Sequence, residues 1–99
     1  VHRTKDGIIV INHDQTIDRL TDSSGLIREM SWSGLQQVDG AYNWSPDGLT
    51  YPYRGKGVKI LSLTAIMDAF PQQVYDIEIK QHDPPLESDL CDLLRQYGV

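Results

Sequence analysis

Two pairs of residues carry most of the chemistry this sequence is equipped for. Tyr75-Asp-Ile-Glu-Ile-Lys-Gln81 is a short apolar run with a carboxylate and an ammonium two residues apart. In an extended chain, successive side chains face opposite ways, so Ile77 and Ile79 share one face while Asp76, Glu78 and Lys80 share the other. Charges on a strand that would otherwise read as continuous Val/Ile/Leu suit the wall of a cavity, where a metal or an anion could bind between Glu78 and Lys80. The competing account is an amphipathic strand with a solvated face and an ion pair. His13-Asp14 is the second pair. A carboxylate beside an imidazole biases its tautomer and charge near neutral pH, which equips it as a general acid or base; alone, such a pair is more often plain surface. Arg54-Gly-Lys-Gly57 could meet a phosphate through backbone amides and cations, but it lacks the spacing and the following helix of a P-loop.

These residues need elements to place them. Asp6-Gly7 reads as a tight turn and Ile8-Ile-Val-Ile11 as the second arm of a hairpin whose first arm is mostly missing, which puts His13 and Asp14 at a strand end. Thr21-Asp-Ser-Ser-Gly25 is a loop, and Ser31 or Ser33 caps a short helix that follows. From about 40 to 60 the chain is irregular, with Gly40, Pro46, Gly48, Pro52, Gly55 and Gly57 breaking any element and Tyr42, Trp44, Tyr51 and Tyr53 interleaved among them. A loop this long is functional or disordered, and four aromatics point to a loop packed by its own rings. Ser62 caps a helix with Leu63, Ile66, Met67 and Phe70 on one face, ended by Pro71. Pro85 suits the first turn of a last helix, with Leu86, Leu90, Leu93, Leu94 and Tyr97 on its apolar face and Gly98 as terminator. Helix, strand and helix joined by short links is the order of α/β units around a parallel sheet. With one clear central strand, the chain reads as a slice of a larger domain.

Composition narrows the classes. The 99 residues bound the answer to one domain, and 39% hydrophobic content is that of a folded chain. A net charge of −5 argues against a nucleic-acid binder, which needs a basic face to displace counterions. Cys91 has no partner for an internal disulfide; within a helical pattern it is expected to be a small buried hydrophobe rather than a nucleophile. The sequence opens without Met and shows neither a signal-peptide pattern nor a transmembrane run. The compartment is not legible, with the cytoplasm slightly favoured.

The sequence resembles the glycerophosphodiester phosphodiesterase family. The matching residues are Thr4-Lys-Asp-Gly7 leading into Ile8-Ile-Val-Ile-Asn-His-Asp14, then Thr16-Ile-Asp-Arg19, Gly25, Leu35, Asp39 and Asp76-Ile-Glu-Ile-Lys80. Ser45-Pro-Asp-Gly48 to Tyr51-Pro-Tyr-Arg-Gly-Lys-Gly57 resembles the insertion of bacterial members. The resemblance implies an α/β fold: a partial TIM (β/α)8 barrel, truncated at both ends, with a long insertion loop at about 40–60. It implies His13 as a catalytic proton carrier, Glu78 as a ligand to a divalent metal (Mg²⁺ or Ca²⁺), and Lys80 as both catalytic and facing the substrate phosphate. Asp14 matches a supporting neighbour, and Arg54 is a candidate substrate contact.

Members of that family carry a His-Arg pair on an earlier strand and a Glu-x-Asp pair immediately before the position of Val1, all outside these residues. The resemblance therefore implies that the parent hydrolyses glycerophosphodiesters to glycerol 3-phosphate and an alcohol, as part of lipid metabolism, and that the isolated chain is inactive. A lysophospholipase D activity, with the aromatic loop touching an acyl chain, and a non-catalytic remnant that self-associates or binds through that loop are the alternatives. The expected partner is a small glycerophosphodiester or a lysophospholipid. Exposed sheet edges make self-association of the piece an expectation too.

Overall fold

The computed structural model describes residues 1–98. Its first element is a tight hairpin. Strand β1 (His2–Arg3) pairs antiparallel with β2 (Ile9–Val10), with His2 opposite Val10 and Arg3 opposite Ile9. The turn between them uses Gly7 at φ 96°, a left-handed conformation that glycine adopts without a Cβ penalty. Inside the turn, the Thr4 hydroxyl accepts from the Ile8 amide and donates to Asp6. The expected hairpin is thus present, and its first arm is not missing: His2 and Arg3 supply it.

Strand β2 joins two apolar clusters because its neighbouring side chains face opposite ways. Val10 packs with Ile17, Ile27, Leu35, Val38 and Ile60. Ile9 packs with Leu63, Met67, Leu86 and Leu90, against which Ile77 and Ile79 rest. Beyond β2 the chain turns back. The Ile11 amide donates to the Leu61 carbonyl, and an isolated antiparallel bridge joins Val10 to Ser62.

Three short helices follow, and local signals explain their ends. Helix α1 (Trp32–Leu35) begins at Ser31, whose hydroxyl accepts from the Gly34 amide. It comes directly after a 3-10 turn at Ile27–Glu29. Helix α2 (Leu63–Ala69) begins at Ser62, whose hydroxyl accepts from the Ala65 amide. Leu63 and Met67 are buried as their spacing requires, whereas Phe70 lies past the last turn at φ −130° and is 54% exposed. Helix α3 (Glu87–Gln96) buries Leu90, half-buries Leu93 and Leu94, and is followed by Gly98 at φ 75°. Pro85 lies two residues before its first turn rather than within it.

Two expectations need correcting. Cys91 is exposed, not buried. It is one residue on from Leu90, so about 100° of helical rotation carries it off the Leu86/Leu90/Leu94 stripe. Residues 75–81, expected to form a central strand, are extended but not part of a strand. Their alternation is as expected, with Asp76 and Glu78 exposed and Tyr75, Ile77 and Ile79 half-buried. What they lack is a ladder. Val1 donates its amine to the Glu78 carbonyl and accepts from the Lys80 amide at 3.2 Å, the pattern of a single parallel pairing opposite Ile79. The Arg3 amide then goes to the Gln81 side chain at 3.0 Å instead of to the backbone.

Candidate active site

His13 is placed by the turn that ends β2. The Asn12 side chain donates to the Asp14 carbonyl at 2.8 Å and rounds the chain over. Buried His2 supports the same turn from beneath, with Nε2 3.2 Å from the His13 carbonyl. Since a carbonyl only accepts, that Nε2 carries a proton, and burial lowers the pKa of His2 so that its ring is neutral at pH 7.

The His13 ring is oriented by charge. Its Nδ1 lies 2.9 Å from Asp14 Oδ1; the carboxylate accepts, so Nδ1 carries the proton and Nε2 of the neutral ring keeps its lone pair. Asp14 is itself gripped by Arg19, which donates from Nε at 2.8 Å and from Nη2 at 3.3 Å. The guanidinium first, and the imidazole second, hold the Asp14 pKa down to about 2. Asp14 therefore stays ionised wherever His13 is of use.

Glu78 and Lys80 arrive from the extended segment. Their backbones flank Val1, and Lys80 Nζ is 3.1 Å from Glu78 Oε1. Tyr75 anchors the segment upstream, its hydroxyl donating to the Phe70 carbonyl at 2.6 Å at the end of α2. Downstream, the buried Gln81 side chain accepts from the Arg3 amide and donates to the Pro84 carbonyl at 2.8 Å.

These two placements meet in one cleft of about 290 Å³, lined by Asn12, His13, Tyr75, Asp76, Glu78 and Lys80 among others. His13 and Lys80, far apart in sequence, share a wall. Arg54 is not on that wall. It is sandwiched between Tyr42 and Tyr51, 4.0 and 4.1 Å from the ring centroids, with Nε donating to the Tyr42 carbonyl at 2.9 Å.

The donors present do not by themselves make a site for a divalent cation. Among the described residues no three His, Cys, Asp or Glu side chains gather as ligands. Glu78 and Asp76 are the only cleft carboxylates among the described residues, and Glu78 is already paired with Lys80. Hard divalent cations take about six or more oxygen ligands.

Arg19, Asn12 and Tyr75 do positioning work that no sequence motif for chemistry assigns to them. Arg19 belongs to the matching run Thr16-Ile-Asp-Arg19 and carries the opposite charge five residues beyond Asp14, but only the turn makes that a contact.

The fold and then the family follow from comparison. The crystal structure of a glycerophosphodiester phosphodiesterase from Agrobacterium tumefaciens str. C58 matches 99% of this chain with a TM-score of 0.77 at 24% identity, using 38% of that protein; the chain has the fold of that part. The model of the glycerophosphoryl diester phosphodiesterase family matches residues 1–94, and the chain belongs to that family. A glycerophosphodiester phosphodiesterase of Bacillus subtilis (strain 168) is 30% identical over 97% of this chain. One from Caldanaerobacter subterraneus subsp. tengcongensis is 26% identical over 99% of it. The chain spans 34% and 40% of the length of those two relatives.

Proposed function

We propose that this chain is part of a phosphoric diester hydrolase that cleaves glycerophosphodiesters to glycerol 3-phosphate and an alcohol, and that residues 1–98 are a section of its (β/α)8 barrel. The observation that supports this most strongly is the shared cleft of His13, Glu78 and Lys80 in a chain of this family. His13 is suited to move a proton at Nε2, because Asp14 and Arg19 fix the opposite side of the ring. Lys80 is suited to stand against the phosphoryl oxygens and offset the charge that develops on them. Glu78 is assigned as one carboxylate ligand of a divalent cation, Mg²⁺ or Ca²⁺. Such an ion would need further ligands beyond those that the described residues gather.

Arg54 could contact substrate through Nη1 and the second hydrogen of Nη2, since Nε and the other Nη2 hydrogen are engaged within the loop. The exposed Leu49 and Tyr53 beside Trp44 favour a lysophospholipid as second substrate class, with the loop meeting the acyl chain.

The test is release of glycerol 3-phosphate from glycerophosphocholine by the longest natural chain that carries these residues, run with Mg²⁺, with Ca²⁺ and with a chelator. Release that is lost on chelation and in Glu78→Ala is expected, with none from the 99-residue chain alone. Release that persists in both would remove Glu78 and the metal from the account. Turnover of lysophosphatidylcholine in place of glycerophosphocholine would favour the second reading.

A further inference from the structure

A second cavity, of about 200 Å³, shares Lys80 with the cleft and is otherwise walled by four separate segments. His2 comes from β1, Gln15 from the turn after His13, Arg28 from the 3-10 turn, and His82 and Asp83 from the turn that follows the extended segment. Its permanent charges are two cations, Arg28 and Lys80, against the single carboxylate of Asp83. That balance is the reverse of the chain as a whole, whose net charge is −5.

Of the two cations, Arg28 is the one still available. Lys80 is shared with the reacting cleft and paired with Glu78, whereas Arg28 is half-buried and makes no ion pair among the described residues. A guanidinium held at a cavity wall presents a planar fork that fits a carboxylate or a phosphate with two hydrogen bonds. His2 contributes an acceptor, because its Nε2 proton goes to the His13 carbonyl and leaves Nδ1 of the neutral ring free. A cavity of only about 200 Å³ with two cations on its wall suits a compact charged group rather than an acyl chain.

We infer that this cavity is the subsite for the alcohol side of the substrate, and that it selects an alcohol carrying its own negative charge, with Arg28 as the residue that reads that charge. The inference rests on the phosphodiesterase reading above and narrows its substrate class. With the phosphodiester against Lys80, the alcohol reaches into the cavity, and a carboxylate or phosphomonoester on it meets Arg28. Asp83 then faces the hydroxyl or amine groups of the same alcohol.

A matched pair of substrates tests it. Glycerophosphoserine and glycerophosphoethanolamine differ by one carboxylate. In the longest natural chain, kcat/KM is expected to favour the serine diester by about tenfold, the ratio that ~1.4 kcal/mol gives. Arg28→Gln is expected to abolish that preference by lowering the serine value alone. The ethanolamine diester serves as the control for folding. Equal values in the unaltered protein, or an equal loss on both diesters in Arg28→Gln, would overturn the assignment. If neither diester turns over, the phosphodiesterase reading fails, and the cavity is then tested separately by titrating inorganic phosphate while following the imidazole NMR signals of His2 and His82. Shifts that vanish in Arg28→Gln support an anion site there, and no shift removes it.

Discussion

Two irregular stretches of this chain carry candidate functional residues, and they are held in opposite ways. The aromatic loop between Gly40 and Val58 closes on itself. The Gly40 amide donates to the Val58 carbonyl at 2.8 Å at its base, the Gly55 amide donates to Asp39 at 2.8 Å, and the Leu49 and Thr50 amides both donate to Asp47 at 2.8 Å. Arg54 lies between two rings of the same loop, and Trp44 packs on Tyr53 with centroids 5.3 Å apart. The segment 75–81 has almost nothing of its own. Its anchors are Val1 at the other end of the chain, the last turn of α2, and the Ile9 cluster under Ile77 and Ile79. The comparison shows that a loop can be fully built and still sit away from the chemistry. Glu78 and Lys80 depend on distant parts of the molecule for their position.

That contrast can be broken by substitutions that act on one stretch only. Gly40→Ala should have the largest effect on stability. Its Cβ would lie 3.0 Å from the Lys59 carbonyl carbon and 3.1 Å from the Ile60 nitrogen, and backbone cannot yield as a flexible side chain can. A loss of about 1–3 kcal/mol is expected from such overpacking. Hydrogen exchange should quicken at Gly55 and Thr50 while Lys80 keeps its protection. Equal loosening in both stretches would show that the loop is not self-contained.

Tyr75→Phe should do the reverse at smaller cost. It removes the hydroxyl that donates to the Phe70 carbonyl, worth about 1 kcal/mol, and leaves the ring in place. The expected result is faster exchange at Lys80 with the loop unchanged, read on the same spectra. Unchanged exchange at Lys80 would mean that the Tyr75 hydroxyl is not among the anchors that hold the segment.

Much of this was legible in local patterns. Ser62 was readable as a cap, and Ser31 as one of two candidates with Ser33, because a cap is decided within three residues. The loop's aromatic packing was readable because rings and breakers alternate within one stretch. The strand-like alternation of 75–81 was also visible, but not its lack of a ladder, because its pairing partner is Val1. Cys91 was misjudged for a different reason. Being in a helix does not bury a residue unless it is on the apolar stripe. The clamp of Arg19 on Asp14 was hidden because it needs the turn that Asn12 shapes.

The smallest expected effect concerns that clamp. The Asp14 pKa is lowered from 3.8 to about 2, so its charge favours the folded turn above about pH 4 and that contribution fades as pH falls toward 2. The carboxyl signal of Asp14, followed by NMR, should titrate near pH 2 in the unaltered chain and higher in Arg19→Ala, short of 3.8 because His13 still lies against it. A midpoint that does not move would place the cause elsewhere than Arg19. The extended segment should not respond to Arg19→Ala.

The central claim is that His13 and Lys80, brought to one cleft from opposite ends of the chain, act on the same substrate. A double-mutant cycle on kcat for glycerol 3-phosphate release, in the longest natural chain with His13→Ala, Lys80→Ala and both together, tests it most directly. Each single substitution is expected to cost about 10²–10³, and the double about as much as the worse single, because residues that act as a unit are not additive. Full activity in either single variant, or losses that multiply in the double, would contradict the account.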